Sequence, residues 1–132
     1  MPKIIFSYRR IDSQDITMRI RDVMALHYGE ESVFTDIDSI PLGVDFLEHI
    51  NRELRTCDAL IAIVGPLWID AGKGPSHGVH KQTDFVRIEI ETAFDKNIPV
   101  VPVLVAWARM PMPQELPDTL RQFAYRNAAS VR

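Results

Sequence analysis

The sequence predicts an α/β protein: a flavodoxin-like, five-stranded parallel sheet in the order 2-1-3-4-5, with helices on both faces. Two observations support this prediction. Apolar, β-rich runs alternate five times with helical patterns along the chain. The runs at 59–64 and 98–105 do not alternate apolar with polar residues, which is typical of parallel strands covered on both faces. Right-handed crossovers leave few topologies for such a chain, and we expect the doubly wound one.

The elements follow one another with short connections. Ser13 is a candidate N-cap for the first helix, which is expected to end at Gly29. The buried face of that helix is predicted at Ile16, Ile20, Val23 and Met24. Strands are predicted at 3–8, 32–35, 59–64, 98–105 and 128–131, and later helices at 44–55, 84–96 and 118–123.

The fourth strand carries Pro99 and Pro102, which favour a place toward the sheet edge, a strand start or a bulge. After the fifth strand no segment is left to cover one face of that edge. We therefore expect residues 1–132 to be a single domain cut from a longer protein, lacking its final helix.

Composition describes an ordinary globular domain, since 46% of the 132 residues are hydrophobic and 25% are charged. The formal charge of −3 gives no electrostatic case for nucleic acid or an anionic membrane as partner. Cys57 is the single cysteine, which excludes a disulfide framework. No apolar run is long enough to cross a membrane and no signal peptide pattern precedes the first strand, so we expect a cytoplasmic protein.

The strong cofactor and metal signatures are absent from the sequence. His77 and His80 lie three residues apart in a Gly-rich loop, but zinc needs further ligands, and exposed histidines are the expected reading. No metal and no cofactor are predicted. A receiver domain shares the predicted sheet but needs acidic residues after strand one, where this chain has Tyr8, Arg9 and Arg10.

The helix at 84–96 carries the most informative pattern. Val86, Ile90, Ala93 and Phe94 form one apolar stripe, and Arg87, Glu91 and Asp95 lie opposite, where we expect solvent. Phe85 and Glu89 are four residues apart and adjacent at the edge of the stripe. Glu89 is therefore either a partly desolvated carboxylate that interacts strongly with a nearby cation, or an ordinary surface residue.

Several loops should meet at the carboxyl edge of the sheet, where ligands of such folds bind. They are predicted at 8–13, 36–43, 65–83 and 106–117. Arg9 and Arg10 can clamp phosphate there or form ion pairs with Asp12 or Asp36. Trp68 and Trp107 can stack on a base or simply pack against the sheet end.

Four segments taken in order resemble the Toll/interleukin-1 receptor (TIR) domain family, of the type common in bacterial immune proteins. The resemblance covers nearly the whole chain except a final helix, and the ordered set is specific although each segment alone is weak. The segments are 5–10 (IFSYRR), 33–36 (VFTD) with Ile40 and Gly43, 57–58 (CD) followed by 84–90 (DFVRIEI) with Ala93, and 101–104 (VPVL) with Leu116 and Pro117.

Many TIR domains, bacterial ones especially, cleave NAD+ between nicotinamide and ribose. The resemblance implies that this chain is an NAD+ nucleosidase, or an ADP-ribosyl cyclase, acting in prokaryotic immunity and antiphage defence, with NAD+ as substrate rather than cofactor. The family's catalytic Glu, four residues after an aromatic that is usually Trp, matches Glu89, with Phe85 in place of Trp. Glu91 is not the candidate.

The remaining site residues also follow from the resemblance. Substrate contacts are implied for Tyr8, Arg9, Arg10, Phe85, Asp36, Asp38 and Ser39. The loop at 36–43 corresponds to the family's BB loop, and its Ile40, Pro41, Leu42 and Gly43 are implied in contacts between TIR domains. The apolar tip at Ile37, Ile40 and Leu42 either contacts a neighbouring copy or folds back onto the second helix.

The expected partners are NAD+, other TIR domains in an oligomer or filament, and a fused sensor domain. The alternative is a non-enzymatic TIR scaffold that acts only through homotypic contacts. A scaffold needs the fold and the BB loop, but neither Glu89 nor the two arginines. The presence of all these residues favours the enzyme.

Overall fold

A computed structural model of the chain describes residues 2–35, 43, 45–70, 78–82 and 84–131. Within these residues five parallel strands form one sheet in the order β2-β1-β3-β4-β5, so the predicted fold class and strand order are confirmed. The elements are β1 (Ile4–Ser7), α1 (Arg10–Tyr28), β2 (Val33–Phe34), α2 (Phe46–Arg55), β3 (Ala59–Val64), α3 (Phe85–Asp95), β4 (Val100–Val105) and β5 (Ala129–Val131). Short 3₁₀ helices lie at Glu30–Ser32, Gly78–His80, Pro113–Glu115 and Asp118–Tyr125.

The core is divided by the sheet into two layers. Because successive side chains of a strand point to opposite faces, Ile4 and Phe6 of β1 pack toward α1 while Ile5 packs toward α2 and α3. The layer on the α3 side contains Ile50, Leu54, Leu60, Val86 and Ile90, each at most 4% exposed. Helices cover both faces, as predicted.

The first helix differs from its prediction in two ways. It begins at Arg10, and Ser13 lies inside it with a non-helical backbone (φ −144°, ψ 17°) that marks a kink. The hydroxyl of Ser13 donates to the carbonyl oxygen of Arg9 at 3.0 Å, so it does not cap a helix. Val23 is 56% exposed, whereas Ile16, Ile20 and Met24 pack partly against the core.

One proline of the predicted fourth strand precedes β4, and the other lies within it. Pro99 precedes β4, and its carbonyl accepts a hydrogen bond from the amide of Leu60. Pro102 pairs in register with Ala62 of β3, and β5 joins the other side of β4 only from Val103 onward. The missing amide of Pro102 therefore lies just before the pairing with β5 begins.

Candidate functional site

The polar centre of the molecule lies between the end of β1 and the first half of α3. Asp84 caps α3, accepting a hydrogen bond from the amide of Arg87, and the predicted stripe is confirmed because Val86, Ile90 and Ala93 are buried. Glu89 is buried beside this stripe with only 3% of its surface exposed. The alternative that Glu89 is an ordinary surface residue is therefore wrong, because the residue is buried in the protein interior.

Ser7, the last residue of β1, reaches this carboxylate. It lies two residues after Ile5 and so points to the same face of the sheet, toward α3. Its hydroxyl donates a hydrogen bond of 2.9 Å to Oε1 of Glu89, and Ser7 itself is 1% exposed. A carboxylate that is buried requires such donors, because an unsatisfied one is costly inside a protein.

Arg9 is buried as well, and three of its five donors bind groups of the described residues. Its Nη1 and Nη2 donate to the two carboxylate oxygens of Asp84 at 2.7 and 2.9 Å, and its Nε donates to the carbonyl of Trp68 at 2.7 Å. The side chains of Arg9 and Asp84 are 8% and 12% exposed. Removing one member of such a pair costs about 3–5 kcal/mol, because it leaves the other charge buried without its partner.

Arg9 thus forms an ion pair, as one of the two readings expected, and its partner among the described residues is Asp84 rather than Asp12. Asp36, the other partner considered, lies outside the described residues. Asp12 has other bonds: it accepts from the amide of Leu67 at 2.8 Å and from the hydroxyl of Ser13 at 2.9 Å. Its carboxylate also approaches Gly65 so closely that a Cβ there would lie 2.5 Å from Oδ2. Whether Arg9 also contacts a substrate stays a prediction.

The opposite side of α3 is less solvated than its charges suggest, which corrects the sequence reading. The Arg87 side chain is only 13% exposed, and its Nε donates to Oε2 of Glu91 at 2.9 Å. Arg87 also donates to the carbonyl of Val79, and Glu91 accepts a hydrogen bond from the hydroxyl of Thr119. Only Asp95 of the three charged residues is exposed.

The other predicted substrate contacts are spread around the end of the sheet. Tyr8 is half-buried against the α1 layer, and Phe85 is half-buried against the α3 layer. Arg10 is exposed and lines a cleft of about 540 Å³ together with Trp107 at the start of α1 and the end of β4. Tyr8 and Arg10 are the sequence neighbours of Arg9, and the buried ion pair is formed by Arg9 and Asp84.

Most of the predicted BB loop lies outside the described residues. This applies to the substrate contacts predicted at Asp36, Asp38 and Ser39 and to the assembly contacts predicted at Ile40, Pro41 and Leu42. Gly43 is described: it is exposed and has a φ of 81°, a left-handed conformation that favours glycine.

The two tryptophans behave differently. Trp68 is 1% exposed and stacks on Phe123 with ring centroids 4.9 Å apart, so it packs against the sheet end. Trp107 is 77% exposed, and it and Ala106 both have positive φ values, of 63° and 52°. Two consecutive left-handed residues are unusual for side chains with a Cβ, and they hold the indole out toward solvent.

In the described part of the chain, no three His, Cys, Asp or Glu side chains cluster suitably for an ion, and the absence of a metal stays a prediction. His80 is half-buried rather than exposed, and His77 lies outside the described residues. Over the same residues, no helix is long and apolar enough to span a membrane.

Two residues of this centre, Ser7 and Asp84, were not predicted from the sequence as site residues. Ser7 was visible as part of a strand, and its position two residues after Ile5 was the signal that it faces α3. Asp84 stands immediately before an apolar helical pattern, which is the signature of an N-cap. Their partners, Glu89 and Arg9, are 82 and 75 residues away in sequence, so neither contact follows from local spacing.

The fold and this centre define a doubly wound α/β module whose polar residues converge where β1 meets α3. The chain belongs to the TIR domain family, whose sequence profile matches residues 4–131. A solved structure of the TIR domains of the activated Roq1 resistosome, which recognises the pathogen effector XopQ, has the same fold, with a TM-score of 0.58 and 10% sequence identity. The match covers 95% of this chain and 70% of that one. No curated protein matches the sequence significantly.

Proposed function

We propose that this TIR domain cleaves NAD+ between nicotinamide and ribose, giving nicotinamide and either ADP-ribose or a cyclic product. Glu89 is the catalytic carboxylate, and no cofactor is required. The observation that carries the proposal is the position of Glu89: a buried carboxylate, held by Ser7 at the end of β1. Buried carboxylates near the crevice edge of an α/β sheet are candidates for function because burial there costs stability.

One carboxylate is sufficient for this chemistry. The bond from the ribose to nicotinamide is a glycosidic bond to a cationic ring, so nicotinamide leaves as a neutral molecule and needs no general acid. Glu89 then stabilises the oxocarbenium-like ribose or holds its hydroxyls, unlike the two carboxylates of ordinary glycosidases. Water attacks the ribose to give ADP-ribose, and attack by a group of the same molecule gives a cyclic product.

Access to Glu89 is the main requirement of the proposal. Only 3% of this residue is exposed, so its carboxylate must become reachable when NAD+ binds or when copies of the domain assemble. Tyr8, Arg10 and Phe85 are proposed as substrate contacts on the described side of the site. Asp36, Asp38 and Ser39 of the BB loop are proposed to complete it.

Assembly of several copies is part of the same proposal. The similar TIR domains of Roq1 belong to an assembly described as a resistosome, which supports contacts between TIR domains here. The proposed contact surface is the loop containing Ile40, Pro41, Leu42 and Gly43. A sensor domain in the same polypeptide would then bring copies of the TIR domain together. The assembled TIR domains would act as an effector in prokaryotic immunity.

A non-enzymatic scaffold is the second candidate, and one observation favours it. Arg9 makes its described bonds within the protein, and Glu89 is almost entirely buried. Both residues would be retained in a scaffold for stability alone. Incubating the concentrated domain with NAD+ and separating the products by chromatography distinguishes the two. Nicotinamide release supports the enzyme, whereas self-association without any product supports the scaffold.

A further inference from the structure

We propose that Arg9 is a positioning residue that fixes the start of α3, and thereby Glu89, rather than a residue that contacts the substrate. This inference rests on the proposed function, and it assigns to Arg9 a role different from the one that the family resemblance implies. Its basis is the guanidinium group, which joins three segments of the chain. These are the end of β1, the turn after β3 through the carbonyl of Trp68, and the N-cap of α3 through Asp84.

Asp84 makes the connection to the helix. Its Oδ2 accepts from Nη2 of Arg9 at 2.9 Å and also from the backbone amide of Arg87 at 3.0 Å. The same carboxylate therefore satisfies the first turn of α3 and the buried arginine. A shift of Arg9 displaces Asp84, and a shift of Asp84 displaces the first turn of the helix that carries Glu89.

The end of β1 and the residues just after it hold α3 at two points. Ser7 binds Glu89, and Arg9 binds Asp84, five residues earlier on the helix. Two residues of extended chain span about 6.6 Å, and five residues of helix span about 7.5 Å, so the two contacts have matching spacings. Two such contacts fix both the position of α3 along the strand and its rotation. The buried stripe of α3 already restricts its rotation, and the two polar contacts set the direction of the Glu89 carboxylate more closely.

Arginine is required for this role. The planar guanidinium donates two parallel bonds to Asp84 while its Nε reaches the carbonyl of Trp68. A lysine keeps the charge but presents a single ammonium group, which cannot reproduce that fork. A phosphate-binding role differs in its response to lysine, because an ammonium group still binds phosphate as a point charge and would keep part of the affinity.

The test measures steady-state NAD+ cleavage by Arg9→Lys, Arg9→Met and Asp84→Asn, with Arg21→Met as a control at an ion-paired arginine distant from the site. We expect all three site variants to lower kcat by about 10- to 100-fold, because small misplacements of a catalytic group have effects of that size. KM should stay within about twofold of the wild-type value. A raised KM in Arg9→Met that Arg9→Lys restores would overturn the inference, because it identifies Arg9 as a substrate contact.

Amide hydrogen exchange gives a second readout that does not depend on activity. The amide of Arg87, which donates to Asp84, should lose protection in Arg9→Lys and Arg9→Met and keep it in the Arg21→Met control. Unchanged protection at Arg87 would overturn the positioning role. Asp84→Asn retains a good N-cap residue, so it reports on the ion pair if Arg9→Met fails to fold. If the wild-type domain cleaves no NAD+, the proposed function fails, and exchange at Arg87 still decides the role of Arg9.

Discussion

The hydroxyl of Ser7 donates a hydrogen bond of 2.9 Å to Oε1 of Glu89, joining two buried residues that are 82 positions apart in sequence. This contact places the candidate catalytic carboxylate against the end of the first strand. It also gives a direct way to separate the placement of Glu89 from its chemistry.

Ser7→Ala removes the donor and leaves the buried carboxylate with one hydrogen bond fewer. Hydrogen bonds to charged groups contribute about 1.5–3 kcal/mol, so we expect the free energy of unfolding to fall by that amount. Urea denaturation measures it. The same substitution at Ser130, which is exposed on β5, is the matched control and should have little effect. Equal stability of the wild type and Ser7→Ala would mean that this bond contributes nothing.

Arg10 should bind substrate without taking part in bond cleavage. It is exposed at the start of α1, beside the buried Arg9, and an arginine there can hold the pyrophosphate of NAD+. Arg10→Met should raise KM and leave kcat nearly unchanged. Arg52→Met, at an exposed arginine of α2 that pairs with Glu48, is the control and should change neither constant. A large loss in kcat with KM unchanged would contradict this role.

Activity per molecule should rise with protein concentration if copies complete one another's sites. Leu42 lies in the predicted apolar tip of the BB loop, outside the described residues. Leu42→Glu places a charge in that tip and should suppress activity at high concentration without lowering the melting temperature. Leu26→Glu, at a leucine of α1 that is 87% exposed, is the control. Specific activity that stays flat from nanomolar to high micromolar concentration would identify the monomer as the enzyme.

The pKa of the Glu115 carboxyl should lie far below that of an ordinary glutamate. Both of its carboxylate oxygens accept bonds of 2.8 Å from Arg109, which lowers its pKa to about 2, and the amide of Met112 also donates to it. A lowered pKa means that the contact stabilises the fold above the ordinary value of 4.5 and that this contribution is lost as the pH falls toward 2. NMR titration of the Glu115 carboxyl measures the midpoint. Arg109→Gln should return it toward 4.5, and an unchanged midpoint would contradict the assignment to Arg109.

The apolar stripe of α3 could be predicted because it depends on a local pattern, and the strand order because few topologies suit five alternating strands and helices. The run at 59–64 is apolar at every position, and Val86, Ile90 and Ala93 recur at helical spacing. The kink at Ser13 and the exposure of Val23 could not, since they depend on how α1 lies against the sheet. Local spacing also does not predict which residue a charged side chain pairs with.

In the site, too, some features could be predicted from local pattern and others depend on tertiary packing. The sequence singled out Glu89 as a carboxylate at the edge of a buried stripe, and its burial agrees with that. It placed Arg87 and Glu91 in solvent, because a row of charges on a helix is usually exposed. In the structure Thr119 and the carbonyl of Val79, both from other segments, bind these two side chains and shield them. Such contacts arise only when distant segments pack together.

The central claim is that Glu89 cleaves NAD+, and its most direct test compares Glu89→Gln with Glu91→Gln. Both substitutions keep the size of the side chain, and a glutamine at 91 can still accept hydrogen bonds from Thr119 and Arg87. Nicotinamide release by the concentrated domain is measured by chromatography, and circular dichroism checks that both variants are folded. We expect Glu89→Gln to lose activity by about 10²- to 10³-fold or more, the scale for a group that stabilises charge in the transition state, and Glu91→Gln to keep most of it. Folded variants that lose equal activity, or a Glu89→Gln variant that still releases nicotinamide at the wild-type rate, would contradict the account.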